Sequence, residues 1–389
     1  MVRELEGQVH DITSMVRSAG KASATHGAVP VRPLTPSTRY CRTGDGVSIA
    51  WTAMGSGPAI LDVQWGSVFT LSMRSVAGQR IWSELARGRT LVRFDARGTG
   101  LSDRDVPDLS VDGIAADLHA VADAAGLDRF PIVTSAGTVH SAIRFASRHP
   151  ERVSRMIVFG GFARGFRRQN LPPRDLAKRE AVVAALEAGW DDPNPAFRML
   201  FAAQVIPDAS REELDAFLAN ARPSMSGHAI ASMMSAYADS DVSDEARGLH
   251  CPMLVVHSRG DVRAPFEEGR RLASLVPNAT FLPIDSASYI AFPSEPAHAE
   301  MIRQVRAFLD ESGEDEAPSS IAFPDLTPRE RSVLELIACG LDNLQIAAHL
   351  NVSEKTVRNN VTPVFDKLGV ENRAQAIVKA REAGMGKAK

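Results

Sequence analysis

Between Tyr40 and Asp310 strand signals and helix signals alternate along the chain, and that alternation leaves few folds open. Strands are expected at Val47–Ala53, Ala59–Gln64, Thr90–Phe94, Phe130–Thr134, Arg155–Gly160, Met253–His257 and Thr280–Ile284. Helices are expected between them, at Ser110–Ala125, Gly137–His149, Phe266–Val276 and Pro296–Leu309. This order predicts an α/β fold, a mostly parallel sheet with helices on both faces. Gly161 to Gly248 interrupts it with a purely helical pattern, which reads as an inserted cap.

The rest of the chain sets the domain plan. At 389 residues and 44% hydrophobic content there is material for about two or three domains. Met1 to Ala19 spaces Val2, Leu5, Val9, Ile12 and Val16 by threes and fours. That is a coiled-coil seam for dimerisation, or an amphipathic helix packing on its own domain. Residues 20–38 read as a Gly/Ser/Pro-rich linker, 39–310 as the α/β domain with its cap at 161–248, and 311–323 as an acidic linker before a C-terminal domain at 324–389. Cys41, Cys251 and Cys339 have neither disulfide nor metal spacing, so no metal and no cofactor are expected. No apolar run approaches bilayer length and no signal-peptide core opens the chain, which predicts a cytoplasmic protein with no membrane contact.

Three landmarks in 39–310 carry chemistry. Phe94-Asp95-Ala96-Arg97-Gly98-Thr99-Gly100-Leu101-Ser102 is a tight turn after a core strand. Ser135-Ala136-Gly137 follows a buried strand and opens a helix, as a nucleophile elbow does. Cys251-Pro252-Met253-Leu254-Val255-Val256-His257 leads to Gly260-Asp261, with Pro265 beyond. On these residues the domain resembles the α/β-hydrolase fold, which implies the order nucleophile, acid, histidine along the chain. The resemblance puts the acid at Asp261 and the histidine before Glu295-Pro296, but Tyr289 stands there. A phenol with a pKa near 10 does not replace an imidazole near 6.5 as a general base at neutral pH, although it can hydrogen-bond a ligand.

The elbow departs too. Val133 occupies the usual glycine position and Thr138 thins the glycines after it, which predicts a relaxed or shifted turn. At the oxyanion loop the chain has Gln64-Trp65-Gly66-Ser67, where Trp65 would fill space. His140, His228 and His257 are the histidines left to rebuild a base, and each reads better as core or surface. No catalytic residue is expected: Ser135, Asp261 and Tyr289 are vestiges. The pocket between sheet and cap is then a holder for a small apolar or aromatic molecule, lined by Trp65, Gly66, Ser67, Phe69, Ser135, Ala136 and Tyr289. The cap contributes Phe166, Trp190, Phe197, Met199, Phe201, Phe217, Met225, Met233 and Met234, most of them its own core. Arg164-Gly165-Phe166-Arg167-Arg168 reads as a solvated charge run.

The C-terminal domain is all-α. Thr327-Pro328-Arg329-Glu330 is a capping box with proline at the first helical position, and Gly340 ends that helix. A second helix runs over Asn343–Leu350. After the short turn Asn351-Val352-Ser353, a third begins at Ser353 with Val357 and Val361 inward. Lys367-Leu368-Gly369-Val370 closes it and Asn372 caps a last helix. The segment resembles the LuxR-type helix-turn-helix domain of bacterial transcription factors, through Leu326-Thr327-Pro328-Arg329-Glu330, Gly340, Ile346-Ala347, Ser353-Glu354-Lys355-Thr356-Val357 and Lys367-Leu368-Gly369-Val370. That resemblance implies double-stranded DNA as a partner, with Lys355, Thr356 and Lys367 at phosphates and Arg358, Asn359 and Thr362 nearest base edges. Asn360 replaces the family's usual histidine, and Pro363 lies inside the recognition helix, where it should kink the axis. The whole chain carries a formal charge of −3, whereas 325–389 has ten Lys/Arg against eight Asp/Glu, which is compatible with DNA without arguing for it.

Together these readings predict a ligand-responsive regulator acting as a homodimer. Two others remain: an active serine hydrolase fused to a DNA-binding domain, and a constitutive architectural regulator without ligand.

Overall fold

The computed structural model describes residues 37–64, 76–311, 323, 326–350, 352–383, 385 and 386. The N-terminal helix, most of the first linker, the loop 65–75 and most of the acidic linker lie outside the described residues.

Among the described residues eight strands form one sheet: β1 (Arg39–Arg42), β2 (Ser48–Gly55), β3 (Ala59–Val63), β4 (Thr90–Phe94), β5 (Phe130–Ser135), β6 (Val153–Phe159), β7 (Met253–Ser258) and β8 (Ala279–Ile284). Their order is β1-β2-β4-β3-β5-β6-β7-β8. β1–β2 and β2–β4 are antiparallel and every later pair is parallel, so the sheet is mostly parallel as expected. β1 is the strand that periodicity does not reveal: its four residues alternate half-buried and exposed at the sheet edge.

Side chains alternate across a strand, and here both faces are buried. Along β3, Leu61 and Val63 join one core and Ile60 the other. Helices α2 (Val111–Ala124) and α3 (Thr138–Arg148) cover the first face through Leu118, Val121, Ile143 and Phe145. Helix α1 (Val76–Leu85) and helix α10 (Ala297–Asp310) cover the second through Leu85, Met301 and Val305. Between β6 and β7 the regular structure is helical: α4 (Pro173–Gly189), α5 (Ala196–Val205), α6 (Arg211–Ser224), α7 (Gly227–Asp239) and α8 (Ser243–Arg247). These pack a core of their own around Trp190, Phe201, Met225 and Met233, with the Trp190 indole donating to the carbonyl of Met225 at 3.0 Å. Helix α9 (Phe266–Leu275) follows β7.

The turn after β4 shows why its residues are needed. Arg97 is fully buried, its guanidinium 2.9 Å from Asp117 and 2.8 Å from Asp45. Asp95 accepts from the Leu101 N–H at 2.8 Å, and the Ser102 hydroxyl accepts from the Ala50 N–H at 2.8 Å, sewing the turn to β2. No buried side-chain N or O atom of this turn lacks a partner, which is the condition for burying it at all.

The C-terminal helices are α11 (Pro328–Ala338), α12 (Asn343–His349), α13 (Glu354–Leu368) and α14 (Arg373–Glu382). They close on Leu334, Ile337, Ile346, Val357, Val364 and Ala376. Each begins on a side-chain cap: Thr327 with Glu330, Asp342 with Gln345, Ser353, and Asn372. Among the described residues no helix is long and apolar enough to cross a membrane.

Candidate functional site

In parallel sheets ligands settle beyond the carboxyl ends of the strands. Here a cavity of about 410 Å³ lies there, large enough for a small molecule. Four strand ends supply its floor: Ala136 and Gly137 after β5, Gly160 after β6, Asp261 to Pro265 after β7, and Tyr289 after β8. The segment Phe162 to Phe166 with helices α4 and α7 supplies its walls, through Phe162, Phe166, Arg179, Val182, Met234 and Tyr237.

The elbow is shifted by one residue from the sequence expectation. Ser135 is the last residue of β5, paired in register with Phe159. The residue with positive φ is Ala136, at +47°, and it is Ala136 that lines the cavity. Left-handed backbone at a non-glycine residue is costly and marks the apex of such a turn. The Ser135 hydroxyl is absent from the lining: it donates to Gln64 Oε1 at 2.7 Å, and the Gln64 amide donates to Asp62 at 2.6 Å. Asp62 in turn pairs with Arg93 at 2.7 Å, both fully buried, with Arg93 over the Trp82 ring. Ser135 is thus part of a buried polar chain and outside the lining, whereas Ala136 lines the cavity with no nucleophile on its side chain.

Asp261 is present where the fold resemblance put the acid. Its Oδ1 accepts from the Arg263 N–H at 2.8 Å and the Ala264 N–H at 3.1 Å, while Oδ2 is buried and unpartnered among the described residues. Gly160, at φ +57°, permits the approach: a Cβ there would stand 3.0 Å from Asp261 Oδ2 and 3.3 Å from the Tyr289 Cβ. Burial raises the Tyr289 phenol above its ordinary range, so at neutral pH it keeps its proton.

The other histidines are committed elsewhere. His140 is fully buried with Nε2 3.0 Å from the Phe162 carbonyl, and burial lowers its pKa to about 4. His257 is buried with Nε2 2.9 Å from the Ala264 carbonyl. His228 is exposed, with Ser232 at 3.5 Å. Ser135 Oγ has no bond to any histidine among the described residues.

Trp65, Gly66, Ser67 and Phe69 lie outside the described residues. Sequence reasoning passed over Arg179, Arg263 and Tyr237 as lining residues. Arg263, two residues beyond Asp261, had a positional signal; Arg179, inside a cap helix, had none. The charge run at the cap is paired throughout: Arg164 with Glu268 at 2.6 Å, Arg167 with Glu180 at 2.7 Å, and Arg168 on the Asp239 carbonyl at 2.7 Å.

The second candidate surface is α13. The Ser353 hydroxyl accepts from the Thr356 N–H at 3.2 Å, starting a helix that runs on through Pro363 to Leu368. Val357, Val364 and Leu368 are buried, which turns Lys355, Thr356, Arg358, Asn359 and Thr362 to solvent. Arg358 reaches back to Glu354 at 2.7 Å, and the Asn360 amide donates to the Thr356 carbonyl at 2.7 Å. Lys367 is engaged: its ammonium sits 2.6 Å and 2.8 Å from the two oxygens of Glu330.

The first body is an α/β-hydrolase-like domain with a helical cap. An esterase from Exiguobacterium antarcticum superposes with a TM-score of 0.59 at 16% identity, covering 70% of this chain and 99% of its own. A hydrolase from Pseudomonas aeruginosa PA01 does so with a TM-score of 0.57 at 18% identity, covering 72% and 100%. At those identities the likeness speaks for the fold alone. The second body is decided by sequence. Residues 324–380 match the family model described as bacterial regulatory proteins, luxR family. The spore germination protein GerE of Bacillus subtilis (strain 168) is 46% identical over 61 residues, which are 16% of this chain and 82% of that protein. The chain belongs to the luxR family of bacterial regulatory proteins.

Proposed function

We propose that the protein is a ligand-responsive transcription regulator of the bacterial cytoplasm, in which a hydrolase-like domain without working catalysis holds a small molecule and a helix-turn-helix reads DNA. The observation that carries this reading is the pair facing the cavity from β5 and β8. Alanine stands at the elbow apex and a protonated phenol stands where a base would have to be. Acyl transfer needs a nucleophile and a group to take its proton, and neither side chain can do either. The cavity then serves for binding, with Ala136 and Tyr289 among the contacts.

On DNA, Lys355 and Thr356 would meet phosphates while Arg358, Asn359 and Thr362 face base edges. Lys367 would share its charge between Glu330 and a phosphate. The protein would act as a homodimer on paired half-sites, and ligand would act by binding one arrangement of the dimer more tightly than the other.

An assay with p-nitrophenyl butyrate tests the catalytic half. The native protein should show no turnover above buffer. The double variant Ala136→Ser with Tyr289→His, which places a hydroxyl at the apex and an imidazole by Asp261, should exceed either single variant by about 100-fold or more. Turnover by the native protein that Ser135→Ala abolishes would establish the hydrolase reading instead.

A further inference from the structure

The cavity is apolar in shape but not neutral. Two arginines are in its lining, Arg179 from α4 and Arg263 from the loop after β7. Neither makes an ion pair among the described residues. Arg179 donates to the Arg263 carbonyl at 2.8 Å, and the Arg263 guanidinium lies over the Phe201 ring at 5.4 Å. The remaining charged lining residues are Lys178, Asp175 and Asp261. Lys178 and Asp175 pair with each other at 3.0 Å, although the Asp175 field still reaches Arg179, and Asp261 is the one lining carboxylate whose field reaches both arginines. Glu268, whose field also reaches Arg179, is already held by Arg164 at 2.6 Å. Arg164 and Arg167 beside the same cap have carboxylate partners; the two in the cavity have none.

Both arginines are half-buried, and a guanidinium stays charged at any accessible pH, so taking even part of it out of water without a counter-ion is costly. Burial accordingly pulls both arginines below their ordinary values, with Asp261 acting against it on each. An oxyanion in the cavity would supply the missing charge, and a carboxylate suits the planar fork of an arginine.

We propose that the ligand is a small organic anion, a carboxylate on an aromatic or aliphatic apolar body, with its carboxylate on Arg263 and Arg179 and its body against Phe162, Phe166 and Met234. This rests on the binding-pocket reading above and narrows it to one chemical class. The Tyr289 phenol, in the same lining and within reach of the Arg263 field, is a donor for the second carboxylate oxygen or for a carbonyl.

Calorimetric titration of the full chain with matched pairs, phenylacetate against phenylacetamide and octanoate against octanamide, tests the assignment. At least one acid should bind about tenfold or more tighter than its amide, the difference a charge-assisted bond makes. Arg263→Gln should remove that preference and leave the amide within about twofold. Asp261→Asn, which keeps the acceptor for the two backbone N–H groups and removes the competing charge, should tighten the acid. Circular dichroism and melting of each variant report folding, and Arg179→Gln serves if Arg263→Gln does not fold. Amides that bind as well as acids, or Asp261→Asn weakening the acid, would overturn the anion assignment and leave the pocket standing. Silence from all four compounds at millimolar concentration, with the protein folded, would take both readings down.

Discussion

Single residues decide what the α/β domain can do. Ser135 and Ala136 are neighbours, yet one is tied into a buried chain through Gln64 to Asp62 and the other faces the cavity. From sequence the serine looked like the apex, because only the side chain could be read; the positive φ that defines the apex is a backbone property that no residue type there announces. His140 illustrates a second kind of residue effect. It is fully buried against Phe162 and Tyr237, with Asp241 favouring its charge and Arg144 opposing it, and burial dominates. Its folded value of about 4 lies below the ordinary 6.5, so the unfolded chain binds the proton first. Stability from this group is complete above pH 6.5 and falls as pH drops towards 4, by roughly 3 kcal/mol in total. Chemical denaturation across that range should show the loss, and His140→Gln, which can still donate to the Phe162 carbonyl, should flatten it. An unchanged pH slope in the variant would contradict the assignment.

At the scale of elements, the helix-turn-helix was the most legible part. Its starts are written in local chemistry, Thr327 with Glu330 three residues on, Ser353 and Asn372, and each of these caps forms as spelled. On the inward face of α13 Val357 is buried as expected, Val361 is only partly buried, and Val364 and Leu368 complete the face. Two substitutions separate its two faces. Val357→Ala removes two buried methyls and should cost about 2 kcal/mol of stability, read by melting. Lys355→Ala should leave stability nearly unchanged, weaken DNA binding similarly across sequences and reduce the salt slope of binding by about 1. A sequence-dependent loss at Lys355→Ala would move that residue from phosphate to base contact. In the sheet, the central strands were legible, with Thr90–Phe94 assigned to the residue. The edge strand Arg39–Arg42 was not, because a four-residue strand half open to solvent carries no apolar alternation.

For the whole molecule, the reading requires two copies on one operator. Paired half-sites one helical turn apart should bind cooperatively, and inserting about five base pairs between them, half a turn, should weaken binding about tenfold or more. Anisotropy measurements on the two spacings would show it, and equal affinities would argue for a monomer on each half-site. The amino-acid sequence by itself determined the two bodies: the alternation that makes a parallel sheet, the helical insertion after β6, and the capped C-terminal helices with their luxR signature. It could do so because periodicity and capping act over a few residues, within reach of the chain's own neighbours. Only the tertiary structure decided that Ala136 rather than Ser135 faces the cavity, that Lys367 is held by Glu330, and that Arg179 and Arg263 come together at one cavity with no ion pair among the described residues. Those facts depend on how segments far apart in the chain pack, and packing follows from the shape of the whole interior and not from any local run of residues.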